Sequence, residues 1–336
     1  MIREAISKVI EGSSLSVQEA EGVMMEIMEG KATPAQIAAY VVGLRMKGET
    51  VEEITGSAQA MRQKAVRIRV RDRLVVDTCG TGGDRMGTFN ISTTVAFLVS
   101  GAGITVAKHG NRSVSSSCGS ADVLKALGVK IEIPPEAVEE CINEIGIGFL
   151  FAPQYHGAMK HALAPRQEIG VRTLFNILGP LTNPAGATVQ VLGVYKEELT
   201  DLLAQVLINL GSAHCFVVHG LDGLDEITIT GKTRVSEGKE GSIKSYFLEP
   251  GDFDLTPAKI KDIQGGDMKE NANIVLDILH GRKGPRREIV LLNAAPALVA
   301  AGKAKTLQDG YRLANESIDS GAAFEKLEAL KEVTNR

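Results

Sequence analysis

A glycine-rich turn follows the first run of the sequence that is typical of a β-strand. The run covers residues 74–77, and the turn contains Gly-Thr-Gly-Gly-Asp at residues 80–84, shortly before a helical pattern begins. Glycines let backbone N–H groups approach phosphate oxygens, and the start of a helix adds a favourable potential for an anion. The turn matches neither common phosphate signature, so a plain βα turn stays open. Four neighbouring polar side chains favour a ligand: Thr88, Asn90, Ser92 and Thr93.

A second polar loop follows the next β-like run, at residues 104–107. It begins at Lys108 and continues through a serine-rich stretch to Ser120. Ligands of open α/β sheets bind beyond the carboxyl ends of the strands, where both loops are expected to lie. Lys108 offers a point charge and the serines offer small donors, which suits a multiply charged anion. The two loops predict one site for a phosphorylated ligand, with a solvated serine-rich loop as the alternative.

Asp225 and Glu226 form an acidic turn after the β-like run at residues 215–219. Mg²⁺ typically takes one or two protein carboxylates and completes its shell with water and phosphate oxygens. Taken alone, an acidic turn is more often an exposed, solvated loop. Its place in the same sheet as the two polar loops makes it a candidate Mg²⁺ site.

Arg166 follows Pro165, and a guanidinium there could bind a carboxylate through two parallel hydrogen bonds. A helix-surface arginine is the alternative. His156 and His161 lack the i,i+4 spacing of a zinc protease helix, so we interpret them as core or site-lining side chains. Residues 176–183, Asn-Ile-Leu-Gly-Pro-Leu-Thr-Asn, predict a rigid turn.

The elements that must position these residues fall into two parts. Residues 1–70 show only helical patterns, with capping-box signatures at Ser16, Thr33 and Thr50, and they predict a small helical N-terminal domain. A helical segment returns near residues 155–185 and is expected to pack back onto it. Residues 71–336 otherwise predict an α/β domain, because short β-branched runs alternate with helical stretches.

The predicted fold class is α/β, with a small all-helical N-terminal domain and a larger domain whose mostly parallel central sheet is flanked by helices. Further strands are predicted at residues 129–133, 149–151 and 189–194. Residues 227–229 and 243–247 suggest an antiparallel excursion, and helices dominate again from residue 272 to the end.

Composition limits the classes of partner. The chain has 336 residues and a net charge of −4, which gives no overall basic field for nucleic acid or an anionic membrane. Aromatic residues make up 4% and tryptophan is absent, so base-stacking surfaces are not expected. No apolar stretch reaches the ~20 residues that span a bilayer, and the N-terminus lacks the apolar segment of a signal peptide. We expect a cytoplasmic protein without nucleic-acid or membrane partners.

Taken together, these segments resemble the anthranilate phosphoribosyltransferase family over nearly the whole chain. The pieces that match are residues 80–84, 88–94, 108–117, 165–167, 176–183 and 225–226, in this order and spacing. The resemblance implies transfer of a phosphoribosyl group from 5-phosphoribosyl-1-diphosphate (PRPP) to the amino nitrogen of anthranilate, with release of diphosphate, in tryptophan biosynthesis. It also implies two Mg²⁺ ions per site when PRPP is bound, and a homodimer formed through the helical domain.

The resemblance assigns a role to each matching position. PRPP would be held by Gly80, Gly83, Asp84, Thr88, Asn90, Ile91, Ser92, Thr93, Lys108, His109, Gly110, Asn111, Arg112, Ser113, Val114, Ser115, Ser116 and Ser120. Mg²⁺ would be held by Ser92, Asp225 and Glu226, and anthranilate by Gly80, Asn111 and Arg166, with His109 and the turn at residues 179–180 nearby. The implied catalytic residues are Lys108, Asn111 and Arg166. One departure is Arg85-Met86, where the family often has a smaller residue.

Two alternatives stay open. A pyrimidine nucleoside phosphorylase-like enzyme of the same fold would use phosphate as its nucleophile, which gives little reason for the carboxylate pair at residues 225–226. A nucleic-acid-binding relative would need a basic patch. The local candidate is the alternation of four arginines, which we interpret as an exposed strand or linker edge because period two places them on one face: Arg67, Arg69, Arg71 and Arg73.

Overall fold

Four helices form the N-terminal part of the chain in the computed structural model, which describes residues 1–84, 86–113 and 118–336. They are α1 (Ile2–Ile10), α2 (Val17–Met28), α3 (Pro34–Lys47) and α4 (Val51–Lys64). The capping boxes predicted at Ser16, Thr33 and Thr50 are all present at the starts of α2, α3 and α4. Each satisfies N–H groups that a helix start leaves without partners, which explains why the helices begin there.

Seven strands form one sheet. They are β1 (Val76–Gly80), β2 (Val106–Gly110), β3 (Ile147–Phe151), β4 (Val189–Gly193), β5 (His214–Gly220), β6 (Thr233–Lys239) and β7 (Ser242–Leu248). The strand order is β3-β2-β1-β4-β5-β6-β7; the first five are parallel, and β6 and β7 are antiparallel. The predicted fold class, a mostly parallel sheet with an antiparallel excursion, is therefore confirmed.

The remaining helices cover the two faces of the sheet. They are α5 (Ile91–Gly101), α6 (Ser120–Ala126), α7 (Pro135–Ile145), α8 (Ala152–Tyr155), α9 (Lys160–Ile169), α10 (Phe175–Leu178), α11 (Leu199–Asn209), α12 (Met268–Leu279), α13 (Pro285–Ala300), α14 (Leu307–Asp319) and α15 (Ala322–Thr334). On one face, α5 packs against α13, α14 and α15. On the other, α11 packs against α4, and α9 packs against α2 and α3.

The alternation of β4 and β5 divides their side chains between two hydrophobic cores. Val189 and Val191 enter the core shared with α5 and α13, whereas Leu192 and Val194 enter the core of the N-terminal helices. Successive strand residues point to opposite faces of a sheet, so one strand serves both cores. The N-terminal helices thus share a core with one face of the sheet.

Two predicted strands are wrong. Residues 129–133 form an extended connection whose apolar side chains are buried but whose N–H groups bond to Leu124 and Thr334 rather than to a strand. Residues 227–229 are irregular, because the side-chain amide of Asn293 takes the place of a neighbouring strand for Ile227. Strand β6 was not predicted, because its sequence, Thr-Arg-Val-Ser-Glu-Gly-Lys, is mostly polar.

The alternating arginines lie on the connection from α4 to β1, and all four are exposed, as predicted for a linker edge. The connection is held on both sides: Ile68 N–H donates to the carbonyl of Pro184, and Arg71 N–H donates to Asn143 Oδ1 at 2.8 Å. Within the described ranges, no helix is both long and apolar enough to cross a bilayer.

Candidate active site

Four neighbouring parallel strands each end in a glycine, at Gly80, Gly110, Gly193 and Gly220. The loops that follow fold back over these ends. A Cβ atom on Gly80 would lie 2.7 Å from Asp225 Oδ2, and one on Gly193 would overlap the carbonyl oxygen of Asp225. Side chains at these strand ends would therefore push the acidic turn away, and their absence lets it close onto the glycine-rich turn.

The glycine-rich turn and the acidic turn are joined directly. Gly82 N–H donates to Asp225 Oδ2 at 2.7 Å, and Thr81 N–H donates to the carbonyl of Gly193 at 2.9 Å. Gly82 and Gly83 have φ of 68° and 80°, in the left-handed region that favours glycine. Asp84 lies close to Asp225, and its Oδ2 is buried without a hydrogen-bond partner among the described residues. Asp84, Asp225 and Glu226 therefore gather beside the backbone of the glycine-rich turn.

The acidic turn is not an exposed loop, contrary to the expectation for an isolated acidic turn. Glu226 is buried and Asp225 is largely buried. Burial, with the neighbouring charges of Asp84 and Glu226, raises the pKa of Asp225 well above its usual range. Burial likewise raises the pKa of Glu226 to about 8, although the cation of Lys108 opposes the shift. Lys108 therefore offsets the burial of this pair only in part, and a bound cation would favour the charged form of both carboxyl groups.

Gly193→Ala is expected to lower the free energy of unfolding by about 1 to 3 kcal/mol, because its Cβ cannot fit beside the backbone of Asp225. Displacement of the turn should also reduce turnover. Urea denaturation and steady-state kinetics measure the two effects. Gly231→Ala is the control, since nothing lies near a Cβ there and φ is not positive. Equal stability and turnover in the two variants would contradict the prediction.

Helix α5 begins beside the two turns. Asn90, its N-cap residue, makes no side-chain cap; instead its amide bonds to the carbonyl of Cys118 and to Asn271. Ile91 N–H donates to the carbonyl of Phe89 at 2.8 Å, and Ser92 N–H donates to the Glu226 carboxyl. The start of α5 thus already holds an acidic side chain, as the start of a helix favours. Ile91 is buried and packs in the core, so only its backbone is available. Thr93 is also buried, and its hydroxyl has no partner within the part of the chain described.

Lys108 and Ser92 meet at this helix start. Lys108 is buried, and its Nζ donates to the carbonyl of Thr78 and to Ser92 Oγ, at 2.5 and 3.2 Å. Burial lowers the pKa of Lys108, whereas the nearby acids Asp77 and Glu226 raise it. The structure therefore brings Gly80, Ser92, Lys108 and the acidic turn into one group.

The loop after β2 lies beside this group. Ser120 Oγ donates to the carbonyl of Asn111, and Ser113 N–H donates to Asp122 Oδ2. Arg112 is directed elsewhere, since it pairs with Glu132 at 2.7 Å on the surface. Three predicted PRPP residues lie outside the described residues: Val114, Ser115 and Ser116. Thr88 pairs through its backbone with Gln264.

His109 and His156 form a buried pair with ring centroids 5.1 Å apart. Burial lowers the pKa of His109 to about 3 and that of His156 to about 4. Both rings are therefore neutral near pH 7. The backbone of Gly179 lies against His109 and that of Thr182 against His156, so the predicted rigid turn borders this pair. These neutral rings and the turn form an uncharged wall, with Nε2 of each ring buried and without a hydrogen-bond partner among the described residues.

Arg166 lies on α9, and its guanidinium is 5.3 Å from the ring centroid of Phe175. Burial lowers the pKa of Arg166, and no carboxylate pairs with it within residues 1–84, 86–113 and 118–336. The structure thus presents a partly buried cation that has an aromatic neighbour but no ion-pair partner. Within the described residues, no hydrogen bond joins Arg166 to the group formed by Gly80, Ser92, Lys108 and the acidic turn.

The carboxylates fit Mg²⁺ by their chemistry. Among the described residues, no three His, Cys, Asp or Glu side chains form a complete metal cage. Mg²⁺ does not require one, because it is commonly held by one or two carboxylates and by substrate phosphates. Asp225 and Glu226, with the unpartnered Asp84 Oδ2 and the hydroxyl of Ser92 nearby, provide that kind of oxygen donor set.

Two side chains at this site had no signal in the sequence, Arg172 and Asp77, and a third, Asn183, ends the turn predicted at residues 176–183. Arg172 donates to the carbonyl of Gly83 from the segment after α9. Asp77 accepts from His109 N–H, and Asn183 bonds to Asp77 Oδ2 at 2.9 Å and to the carbonyl of Ala107. These links join β1 and β2 to the turn at residues 176–183. They depend on contacts between residues that are far apart in the sequence, which spacing along the chain cannot show.

Family models match both parts of this fold, and both describe a glycosyltransferase. The family described as "Glycosyl transferase family, helical bundle domain" matches residues 3–65, and "Glycosyl transferase family, a/b domain" matches residues 72–324. The anthranilate phosphoribosyltransferase of Citrifermentans bemidjiense is 58% identical, over 100% of this chain and 99% of its own length.

Solved structures agree. The anthranilate phosphoribosyltransferase of Thermus thermophilus has a TM-score of 0.94 at 44% identity and covers 99% of both chains. The Saccharomyces cerevisiae enzyme in complex with PRPP and Mg has a TM-score of 0.90 at 27% identity, over 99% of this chain and 98% of that one. The chain belongs to the anthranilate phosphoribosyltransferase family.

Proposed function

We propose that the glycine-rich turn and the acidic turn hold the diphosphate of PRPP, while Asn111 and Arg166 hold anthranilate. As a member of its family, the chain is a pentosyltransferase that transfers the phosphoribosyl group of PRPP to the amino nitrogen of anthranilate in tryptophan biosynthesis. The observation that carries the assignment of residues is the hydrogen bond from Gly82 N–H to Asp225 Oδ2. It joins the backbone that we propose for phosphate binding to a carboxyl group that we propose for Mg²⁺ binding.

The reaction needs charge stabilisation and positioning. The bond from ribose C1 to diphosphate breaks as the bond to anthranilate nitrogen forms, so positive charge develops on the ribose and negative charge on the leaving group. Lys108 contributes a buried cation near the leaving group. Arg166 orients anthranilate through its carboxylate, and the neutral His109 offers an uncharged surface to the aromatic ring.

We propose that Ser92, Asp225 and Glu226 hold Mg²⁺, with two ions per site when PRPP is bound. When bound, Mg²⁺ would neutralise charge on the diphosphate. The yeast relative was solved with PRPP and Mg, which supports the same pairing here. In this chain Gly82 N–H bonds to the Asp225 carboxyl and Ser92 N–H bonds to the Glu226 carboxyl, which limits the directions that the two carboxyl groups can take.

Anthranilate consumption is expected to require both PRPP and Mg²⁺. Loss of anthranilate fluorescence, followed with each component omitted, measures this directly. Excess chelator should slow consumption at least tenfold, and added Mg²⁺ should restore it. An unchanged rate in chelator would contradict the metal assignment. Consumption of a pyrimidine nucleoside with phosphate, but not of anthranilate, would instead support the phosphorylase alternative.

We also propose a homodimer formed through the N-terminal helices. Met46 on α3 is 84% exposed and Ile10 on α1 is 71% exposed, and α1 and α9 both pack against α3. A second copy would remove such apolar side chains from water. Met46→Glu should weaken dimerisation by about tenfold or more, whereas Met268→Glu on α12 should not. Light scattering over a dilution series measures the effect, and equal masses for both variants would contradict it.

A further inference from the structure

Arg172 spans the space between three parts of the fold. It lies in the connection from α9 to α10, and its Nη2 donates to the carbonyl of Gly83 in the glycine-rich turn. Its guanidinium also lies 4.4 Å from the ring centroid of Tyr195, which follows β4. A Cβ on Gly83 would run into this guanidinium, so the side chain fills the space beside the turn.

Tyr195 lies near the end of α3. It is half-buried, and Arg45 at the end of α3 and Glu49 just after it are close enough to influence its phenol. A guanidinium stacked on a ring is limited in the directions it can take, and its planar set of donors is then aimed at one acceptor. Arg172 is thus fixed on one side by the ring and directed to the Gly83 carbonyl on the other.

The direction of that carbonyl decides what the turn offers to a ligand. In a trans peptide the C=O and the next N–H point in opposite directions. With the Gly83 carbonyl held by Arg172, the N–H of Asp84 points away from Arg172, and it has no backbone or side-chain acceptor within the described residues. A free N–H so directed is a donor for a phosphate oxygen.

We infer that Arg172 is a positioning residue for PRPP, which holds the peptide between Gly83 and Asp84 in the orientation that binds diphosphate. The inference rests on the proposed placement of PRPP at the glycine-rich turn. Arg172 lies six residues after Arg166, so one segment positions both substrates: Arg166 acts on the anthranilate side and Arg172 acts on the PRPP side through the turn.

The test compares Arg172→Ala and Arg172→Lys with the wild-type enzyme. Arg172→Ala should raise KM and the calorimetric Kd for PRPP with Mg²⁺ by about 10- to 100-fold, because a free turn samples other peptide orientations. KM for anthranilate should change less than about threefold. Arg172→Lys should recover only part of the loss, since an ammonium cannot stack and donate in the same plane. The control is Arg234→Ala, which removes another arginine stacked on a ring, at Phe247.

A second variant pair tests the contact itself. Gly83→Ala should weaken PRPP binding less in the Arg172→Ala background than in the wild type, because the guanidinium that its Cβ meets is gone. Additive effects would overturn the inference. Equal losses for PRPP and anthranilate, together with a lower Tm, would show a structural role and would also overturn it.

The same titrations separate this inference from the proposed function. If the wild-type enzyme fails to bind PRPP with Mg²⁺, the proposed site is wrong. The other case is that the wild type binds PRPP and that the change of Asp225 and Glu226 to amides abolishes binding. If Arg172→Ala then binds PRPP as tightly as the wild type does, only the inference about Arg172 is wrong.

Discussion

Changing Asp225 and Glu226 together to Asn and Gln is expected to lower kcat/KM for PRPP by about 10²- to 10⁴-fold in saturating Mg²⁺. A bound metal ion contributes several kcal/mol of charge stabilisation in the transition state, and each 1.36 kcal/mol is tenfold in rate. The amides keep the shape of the carboxylates but bind Mg²⁺ poorly. Residual turnover should depend little on Mg²⁺, which a titration of the metal measures.

The same double variant should be at least as stable as the wild type when Mg²⁺ is absent. Burial raises the pKa of Glu226 to about 8, so its folded form holds a proton that the unfolded chain has released. Stability of the metal-free protein therefore falls as pH rises from the usual carboxyl range through pH 8, and an amide removes this loss. Thermal unfolding with chelator at pH 6 and pH 9 measures the difference.

The control for this prediction is Glu328→Gln with Glu332→Gln, two exposed carboxylates on α15. Their pairs with Lys331 and Arg336 lie at the surface and contribute little. This variant should keep both its turnover and its response to Mg²⁺. A wild-type metal response in the variant of Asp225 and Glu226 would mean that the ion is held elsewhere.

The features predicted well from the sequence are local in the chain. The three capping boxes depend on residues three apart, and the glycine-rich turn depends on a strand followed at once by glycines. Asp225 and Glu226 became a candidate Mg²⁺ site only through the two polar loops predicted in the same sheet, since an acidic turn taken alone is more often an exposed loop. Their burial was not visible, since it depends on Gly80 and Gly193 from two other strands.

The features that sequence could not supply depend on long-range contacts. Residues 129–133 have the apolar pattern of a strand, but β3 already occupies the edge beside β2, and α7 follows at once. Asn293 replaces a strand partner for Ile227 from a helix 66 residues away. Arg172 reaches Gly83 across 89 residues. Nothing in the spacing of such residues along the chain indicates that they meet.

Arg166→Ala is expected to lower kcat/KM for anthranilate by about 30- to 700-fold. The variant loses a charge-assisted bond to the substrate carboxylate, worth roughly 2 to 4 kcal/mol when the partner charge stays partly buried, and every 1.4 kcal/mol is about tenfold. The structure strengthens the argument, because Arg166 is partly buried and has no carboxylate partner of its own among the described residues. A guanidinium kept in such surroundings without a counter-ion is available to a substrate anion.

Phe175 and Gln167 supply matched comparisons for Arg166. Phe175→Leu removes only the ring beneath the guanidinium, so its effect should stay within about 1 kcal/mol, or roughly fivefold. Gln167→Ala changes an exposed neighbour on the same helix and should leave the kinetics unchanged. PRPP affinity should barely move in any of the three variants, since its proposed contacts come from β1, β2 and the acidic turn. Calorimetric titration of Arg166→Ala with PRPP and Mg²⁺ decides the assignment: a loss of PRPP affinity as large as that for anthranilate would place Arg166 on the ribose-phosphate side of the reaction.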